Sequence, residues 1–327
     1  MTIRALITDK DGEGYATKLT TIDQADLGEG DVTISVEYST VNYKDGLALN
    51  GKRIMASYPM IGGIDLAGTV EASDSINFQP GDKVLVNGYG LSQTHNGGYS
   101  EKARVPAEWV IPLPEKFTTR DAMAIGTAGY TAMLCILALE HGGLTPASGD
   151  VLVTGANGGV GSIAISILSG LGYKVLASTG RPSEAEYLKS LGAADIVDRN
   201  SLSEPGRPIG SEKWAGAVDS VGSHTLANVL AQTKYEGVVA ACGLAQGMDL
   251  PASVAPFILR NVTLAGIDSV NAGRAKRIKA WERLAKDLDP AKLESTISEV
   301  KLDEVPEVAN AILAGTVRGR TVVNVQS

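Results

Sequence analysis

Val151-Leu-Val-Thr-Gly-Ala-Asn-Gly-Gly-Val-Gly161 joins a run of strand-forming residues to a helix expected to begin near Ser162. Apolar residues at its start suit a buried strand. The glycines suit a chain that must turn sharply, approach a phosphate closely and leave the amides of a helix N-terminus open to negative charge. A glycine-rich loop alone is weak evidence, because a tight turn in any α/β protein uses the same residues. Its surroundings decide the matter. Six apolar segments, VLVTGA, KVLAST, DIVD, GAVDSVG, GVVAACGL and VTLAGID, alternate with helical stretches. Continuous apolar strands separated by helices belong to a parallel sheet covered on both faces. The expected fold class is therefore α/β, with a doubly wound Rossmann sheet that binds a dinucleotide.

Upstream of this sheet, residues 1–122 alternate β-branched runs with Gly, Pro and Asp punctuation: IRALIT, DVTISVEYSTV, GIDLAGTVEA, GDKVLVNG and SEKARVPAEWVIPLP. Such spacing predicts a mostly antiparallel β domain. From Thr118 the pattern becomes helical, with Ala, Met, Ile and Leu recurring at three and four residues. Beyond Val270, a basic amphipathic helix from Arg274 to about Leu288 leads to VPEVANAIL and a last strand, RTVVNV, expected to rejoin the β domain. The reading is a β domain of residues 1–122 and 290–327 with a nucleotide-binding domain, 123–289, inserted into it.

Composition excludes several classes. The 327 residues carry a formal net charge of −8 and no Lys/Arg run, which argues against a general nucleic-acid or anionic-membrane binder, since phosphates are held by clustered positive charge. Cys135 and Cys242 lie in apolar sequence and form neither a disulfide framework nor a metal-ligand spacing. The first residues read as a strand and lack the apolar region of a signal peptide. No stretch approaches the ~20 uninterrupted apolar residues of a membrane span. A cytoplasmic protein without membrane partners is expected.

The tip of the second strand chooses the dinucleotide. An NAD site normally carries Asp or Glu there to bond the adenosine ribose, whereas this chain reads Ser178-Thr179-Gly180-Arg181. A 2′-phosphate fits among the hydroxyls, the Gly180 amide and the Arg181 guanidinium, and Arg199 adds charge or caps the adenine. NADPH is favoured over NADH. The plainer alternative makes both arginines solvated loop residues.

GDKVLVNG, GGYSEKARVPAEWVIPLP, GTAGYTAMLCILALE and VLVTGANGGVGSIAISIL together resemble the medium-chain dehydrogenase/reductase superfamily over nearly the whole chain. The resemblance implies a GroES-like catalytic domain around the Rossmann domain. In the superfamily's zinc alcohol dehydrogenases, a Cys and a Gly-His-Glu hold a catalytic metal; the corresponding places here read Asn42-Tyr-Lys-Asp45 and Gly63-Ile-Asp65. Asn42 and Ile64 replace neither thiolate nor imidazole. The four-Cys structural lobe is missing, and His95, His141 and His224 form no ligand-spaced cluster. A zinc-free enzyme is expected, which leaves hydride transfer to an already activated alkene or quinone.

Within the zinc-free branch, VNYKDG, PMIGGIDLAGTV, IGTAGYTAMLC and PFILRNVTLAGIDSV resemble the bacterial acrylyl-CoA reductases, long filed as quinone oxidoreductases. That resemblance implies NADPH-dependent reduction of acryloyl-CoA to propanoyl-CoA. It carries NADP contacts onto Tyr43, Asn157, Gly158, Gly159, Val160, Thr179, Gly180, Arg181, Arg199, Leu244, Ile258 and Ser269. Tyr43 is also the catalytic candidate, ordering the nicotinamide carboxamide or relaying the α-carbon proton; the alternative is a Tyr that merely packs. Asp45 is expected to hold loop structure. Thr127 and Thr131 face the nicotinamide or serve capping and packing. An acyl-CoA substrate brings phosphates, for which Lys44, Lys52, Arg53 and Arg260 are available. Competing readings are a quinone or 2-alkenal reductase and a non-catalytic NADPH-binding protein. The apolar segment Asn261–Ile267 resembles the superfamily's sheet-edge strand and implies a homodimer.

Overall fold

The computed structural model describes residues 2–327. The chain divides into two compact units. One, the Rossmann unit, comprises Ala128–Ser269 and Lys286–Leu293. Its parallel sheet has the order Ala193–Asp198, Val175–Thr179, Val151–Val153, Trp214–Asp219, Thr233–Ala241, Thr263–Gly266. All six apolar segments of the sequence are strands of it. Numbered along the chain the order is 3-2-1-4-5-6, so the direction of winding reverses beside the first strand, where dinucleotides bind in such sheets. Val151, Leu152 and Val153 are fully buried. The helix after the glycine-rich loop runs Gly159–Gly170, starting three residues earlier than Ser162. Leu152, Trp214, Ala217, Leu226, Val229, Leu230 and Val239 form one core cluster between sheet and helices.

The other, the β unit, holds the chain up to Thr127, then Val270–Ala285 and Glu294–Ser327. Its larger sheet runs Ile297–Lys301, Arg320–Asn324, Val32–Val41, Asp65–Ser73, Lys83–Asn87, Ile111–Pro112, with Lys102–Val105 also paired to Val32–Val41. Only the pair of the two C-terminal strands is parallel. The last strand thus returns to the β unit, as its sequence predicts. A second sheet is the hairpin Thr2–Asp11 and Gly14–Asp23 with Met60–Ile61. Val32, Ile34, Val36, Leu66, Val84 and Val86 from the central strands supply the core.

The unit boundaries differ from the expected ones. Most of the basic helix Arg274–Asp287 belongs to the β unit. Its Arg277 is buried, donates from Nε to Ala272 O at 2.8 Å and from Nη1 to Asn87 O at 2.7 Å, and stands 3.8 Å from the Tyr89 ring centre. Trp281 Nε1 donates to Asn87 Oδ1 at 3.2 Å. A charge buried this way must be met by several acceptors, and those lie on the β unit. At the other boundary, the helix Thr119–His141 is interrupted at Gly126, where φ is 51° and ψ −163°. A Cβ there would lie 2.5 Å from Arg320 Nη2, so the position needs glycine for both space and conformation. Among the described residues this is the one helix long and apolar enough to cross a membrane, but 83% of its apolar window is buried inside the protein, as in a core helix.

Candidate functional site

In the Rossmann unit the glycine-rich loop is held from below by Asp219. This buried carboxylate ends the fourth strand; its Oδ1 accepts the Thr154 hydroxyl at 2.7 Å and its Oδ2 the Gly222 amide at 2.8 Å. Burial raises its pKa. Ser220 returns the tie, donating its amide to Thr154 Oγ1 and its hydroxyl to Thr154 O, both at 3.2 Å. The loop is packed so closely that a Cβ on Gly155 would lie 2.3 Å from Ser220 Oγ, and one on Gly161 would lie 2.5 Å from Gly155 O. Glycine at 161 thus lets the helix start against the turn. Amides at that start point to where an anion is held.

Asn157 links this loop to the tip of the second strand. The Thr179 hydroxyl donates to Asn157 Oδ1, and Arg181 N donates to Thr179 Oγ1 at 3.0 Å. Asn157 Nδ2 is left buried with no partner in the protein. An unpaired buried amide costs about 1–3 kcal/mol, so the loop fits a ligand that brings an acceptor. Gly180 lies against Arg199: a Cβ there would be 2.6 Å from the guanidinium carbon. Asn157, Thr179, Gly180, Arg181 and Arg199 are therefore one connected group, continuous with Gly158, Gly159 and Val160 at the helix start. Leu244 packs against Gly222, whose amide is bound by Asp219 and whose added Cβ would meet the Leu244 Cα at 3.3 Å. Ile258, 73% exposed, stands on the helix Ala255–Arg260, and Ser269 follows the strand Thr263–Gly266 at the far edge of the sheet.

In the β unit, Tyr43 opens the short helix Tyr43–Leu49 and is 43% exposed. Behind it lies a buried polar network that includes Asn42, Asp45 and Asp65. Asn42 Nδ2 donates to Asp65 Oδ2 at 2.8 Å and to Asp45 Oδ2 at 3.1 Å, and its Oδ1 accepts from Arg320 Nη1 at 3.2 Å. Asp65 also accepts from Asn87 Nδ2 at 2.7 Å, the Thr127 hydroxyl at 2.6 Å and the Thr127 amide at 2.9 Å. Arg320 donates further to Ala124 O and Thr40 Oγ1, both at 2.8 Å. Burial lowers the Arg320 pKa, and Asp65 and Asp45 oppose the shift. Asp45 binds the Asn42 and Ile64 amides at 2.8 and 2.9 Å, so it holds loop structure as expected. Thr127 gives both its hydroxyl and its amide to Asp65, and Thr131 is buried.

Of the basic residues considered for phosphates, Arg260 is already engaged. Its guanidinium donates to the carbonyls of Ala231 at 3.1 Å, Thr233 at 3.2 Å and Gly210, and pairs with Glu212 at 3.3 Å. Lys44 reaches Gln93 Oε1 at 2.9 Å, while Lys52 and Arg53 are exposed in the turn that follows the helix. Asp219, Asn87 and Arg320 were not singled out from sequence. The available signal was a charged or amide residue ending or opening an otherwise apolar strand: GAVD, KVLVN and RTVVN.

Comparison with known proteins follows the same division. Residues 28–115 match the alcohol dehydrogenase GroES-like domain and residues 159–286 the zinc-binding dehydrogenase family. Acrylyl-CoA reductase AcuI of Ruegeria pomeroyi is 54% identical, over 99% of this chain and 99% of its own. The solved structure of Escherichia coli K-12 YhdH with bound NADPH is 48% identical with a TM-score of 0.97, covering 98% of this chain and 100% of that one. Bacillus subtilis YhfP, solved with NAD bound, is 44% identical with a TM-score of 0.96, covering 99% of both chains. The expected fold class and superfamily are borne out.

Proposed function

The chain belongs to the acrylyl-CoA reductase family of the medium-chain dehydrogenases/reductases, and from that premise we propose that it reduces the activated C=C bond of acryloyl-CoA to propanoyl-CoA with NADPH. The observation that carries this reading is the 54% identity to the Ruegeria pomeroyi acrylyl-CoA reductase, which extends over both units. Identifying propanoyl-CoA by mass spectrometry after incubation with NADPH and acryloyl-CoA tests it; unchanged acryloyl-CoA would refute it.

The residues present fit NADPH. The amides of Gly159 and Val160 at the helix start would meet the pyrophosphate, with Gly158 lining the turn through its own bond to Gly155 O, and the unpaired Asn157 Nδ2 would supply a further donor. Arg181 and Arg199 meet the 2′-phosphate, with Thr179 and Gly180 shaping the approach. Because the YhfP structure holds NAD, the preference for the phosphorylated dinucleotide rests on these two arginines. Leu244, Ile258, Ser269 and Tyr43 complete the contact set. When bound, NADPH supplies the hydride for the β-carbon of the alkene. Tyr43 holds a proton on Oη and delivers it at the α-carbon. Asn42 and Ile64 offer no zinc ligand, and the thioester itself makes the alkene electrophilic, so the reaction runs without zinc.

Lys44, Lys52 and Arg53 are the basic groups proposed to meet the phosphates of the acyl-CoA. The enzyme acts in the cytoplasm as a homodimer. Thr263–Gly266 is paired on one side only, by Thr233–Ala241, and Val254, Ile258 and Leu259 nearby in sequence are exposed apolar residues. An unpaired edge beside exposed apolar groups invites a second copy; sedimentation as a monomer at micromolar concentration would refute it.

A further inference from the structure

Tyr43 sits at the first position of a seven-residue helix. A helix this short is not held by its own hydrogen bonds, so the direction of Tyr43 depends on what is fastened at the helix start. The fastening is Asp45. Its Oδ2 accepts the Asn42 amide at 2.8 Å and Asn42 Nδ2 at 3.1 Å, and its Oδ1 accepts the Ile64 amide at 2.9 Å. Asn42 is in turn bound to Asp65 and Arg320. One buried carboxylate thus joins the backbone on either side of the exposed Tyr43 to the rigid polar framework of the β unit.

The charged and titratable groups facing Asp45 are Asp65, Arg320 and Tyr99. Burial and repulsion from Asp65 push its pKa up to about 7, against the lowering effect of its three amide donors. Ionised, it accepts all three bonds. Protonated, it turns one oxygen into a donor and accepts these bonds more weakly.

We propose that Asp45 is a positioning residue for the reduction, acting through Tyr43: its carboxylate, bound to Asn42 and Ile64, fixes the helix start so that the Tyr43 hydroxyl meets the substrate. This rests on the reading of Tyr43 as the hydroxyl that serves the α-carbon. The residue touches no reacting atom itself.

A double-mutant cycle on the full-length enzyme tests the link, using single-turnover reduction of acryloyl-CoA by NADPH at pH 8. Asp45→Asn should slow the reaction by about tenfold; in a Tyr43→Phe background it should change the rate by less than about twofold. An equal slowing in both backgrounds would overturn the proposal while leaving Tyr43 in place. A Tyr43→Phe enzyme as fast as wild type would overturn the reading of Tyr43 and the proposal with it. Should Asp45→Asn fail to fold, the pH profiles of wild type and Tyr43→Phe decide. The wild-type rate should fall as pH drops through about 7, where Asp45 gains its proton, and Tyr43→Phe should lack that fall. The same acid limb in both enzymes would overturn the proposal.

Discussion

The Thr127 hydroxyl donates to Asp65 Oδ1 at 2.6 Å, and the Thr127 amide donates to Oδ2 of the same carboxylate at 2.9 Å. Asp65 is a buried carboxylate that opens the strand Asp65–Ser73. Here it anchors the last residue of the β unit before the chain passes into the Rossmann unit.

Removing this anchor should be expensive. Asp65→Ala leaves the donors of Asn42, Asn87 and Thr127 buried without an acceptor and deprives Arg320 of a nearby opposite charge. A loss of about 3–5 kcal/mol is expected from breaking such a network, read as a lower denaturant midpoint. A shift corresponding to less than about 1 kcal/mol would contradict the structural role.

Asp45 should make stability depend on pH in a definite direction. Its pKa is about 7 in the folded protein against 3.8 for the free group, so folding takes up a proton between these values. Its contribution is most favourable at acid pH and is lost as pH rises through about 7, by at most about 4 kcal/mol. The stability of Asp45→Asn relative to wild type should therefore improve from pH 5 to pH 8. A gap that is constant with pH would contradict the assignment.

Much of this architecture is legible in the chain. The six strands of the parallel sheet read as apolar runs because both faces of that sheet are covered, and the glycine-rich loop is legible because Gly155 and Gly161 answer steric demands that only glycine meets. Arg277 was less legible: in a basic helix it looks like one more solvated charge, and only the fold reveals the carbonyls of Ala272 and Asn87 around it. The Asn42–Asp65–Arg320 network is assembled from residues far apart in sequence, so no local pattern announces it. Strand Ile297–Lys301 escaped for a different reason. Its residues are exposed or half-buried, which leaves no apolar run to read.

Cofactor choice should turn on Arg181. Replacing it with Ala removes a charge-assisted contact of ~1.5–3 kcal/mol to the 2′-phosphate, so the KM for NADPH should rise roughly ten- to a hundredfold. The KM for NADH should change little. Equal effects on both would contradict the role given to the second strand's tip.

Metal should be dispensable. Asn42 spends its amide on Asp45, Asp65 and Arg320, and Ile64 carries no donor atom on its side chain. Reductase activity should survive exhaustive chelation, with no stoichiometric zinc by elemental analysis. Activity lost on chelation and restored by zinc alone would contradict this.

The central claim is that the acceptor is a small acyl-CoA alkene activated by its own thioester. It is tested most directly by kcat/KM for NADPH oxidation with acryloyl-CoA, crotonoyl-CoA and a benzoquinone, measured on one preparation. Acryloyl-CoA should lead, and crotonoyl-CoA, with one added methyl group at the β-carbon, should fall below it by ~1–3 kcal/mol, roughly ten- to two-hundredfold. Efficient reduction of the quinone with acryloyl-CoA left untouched would contradict the account.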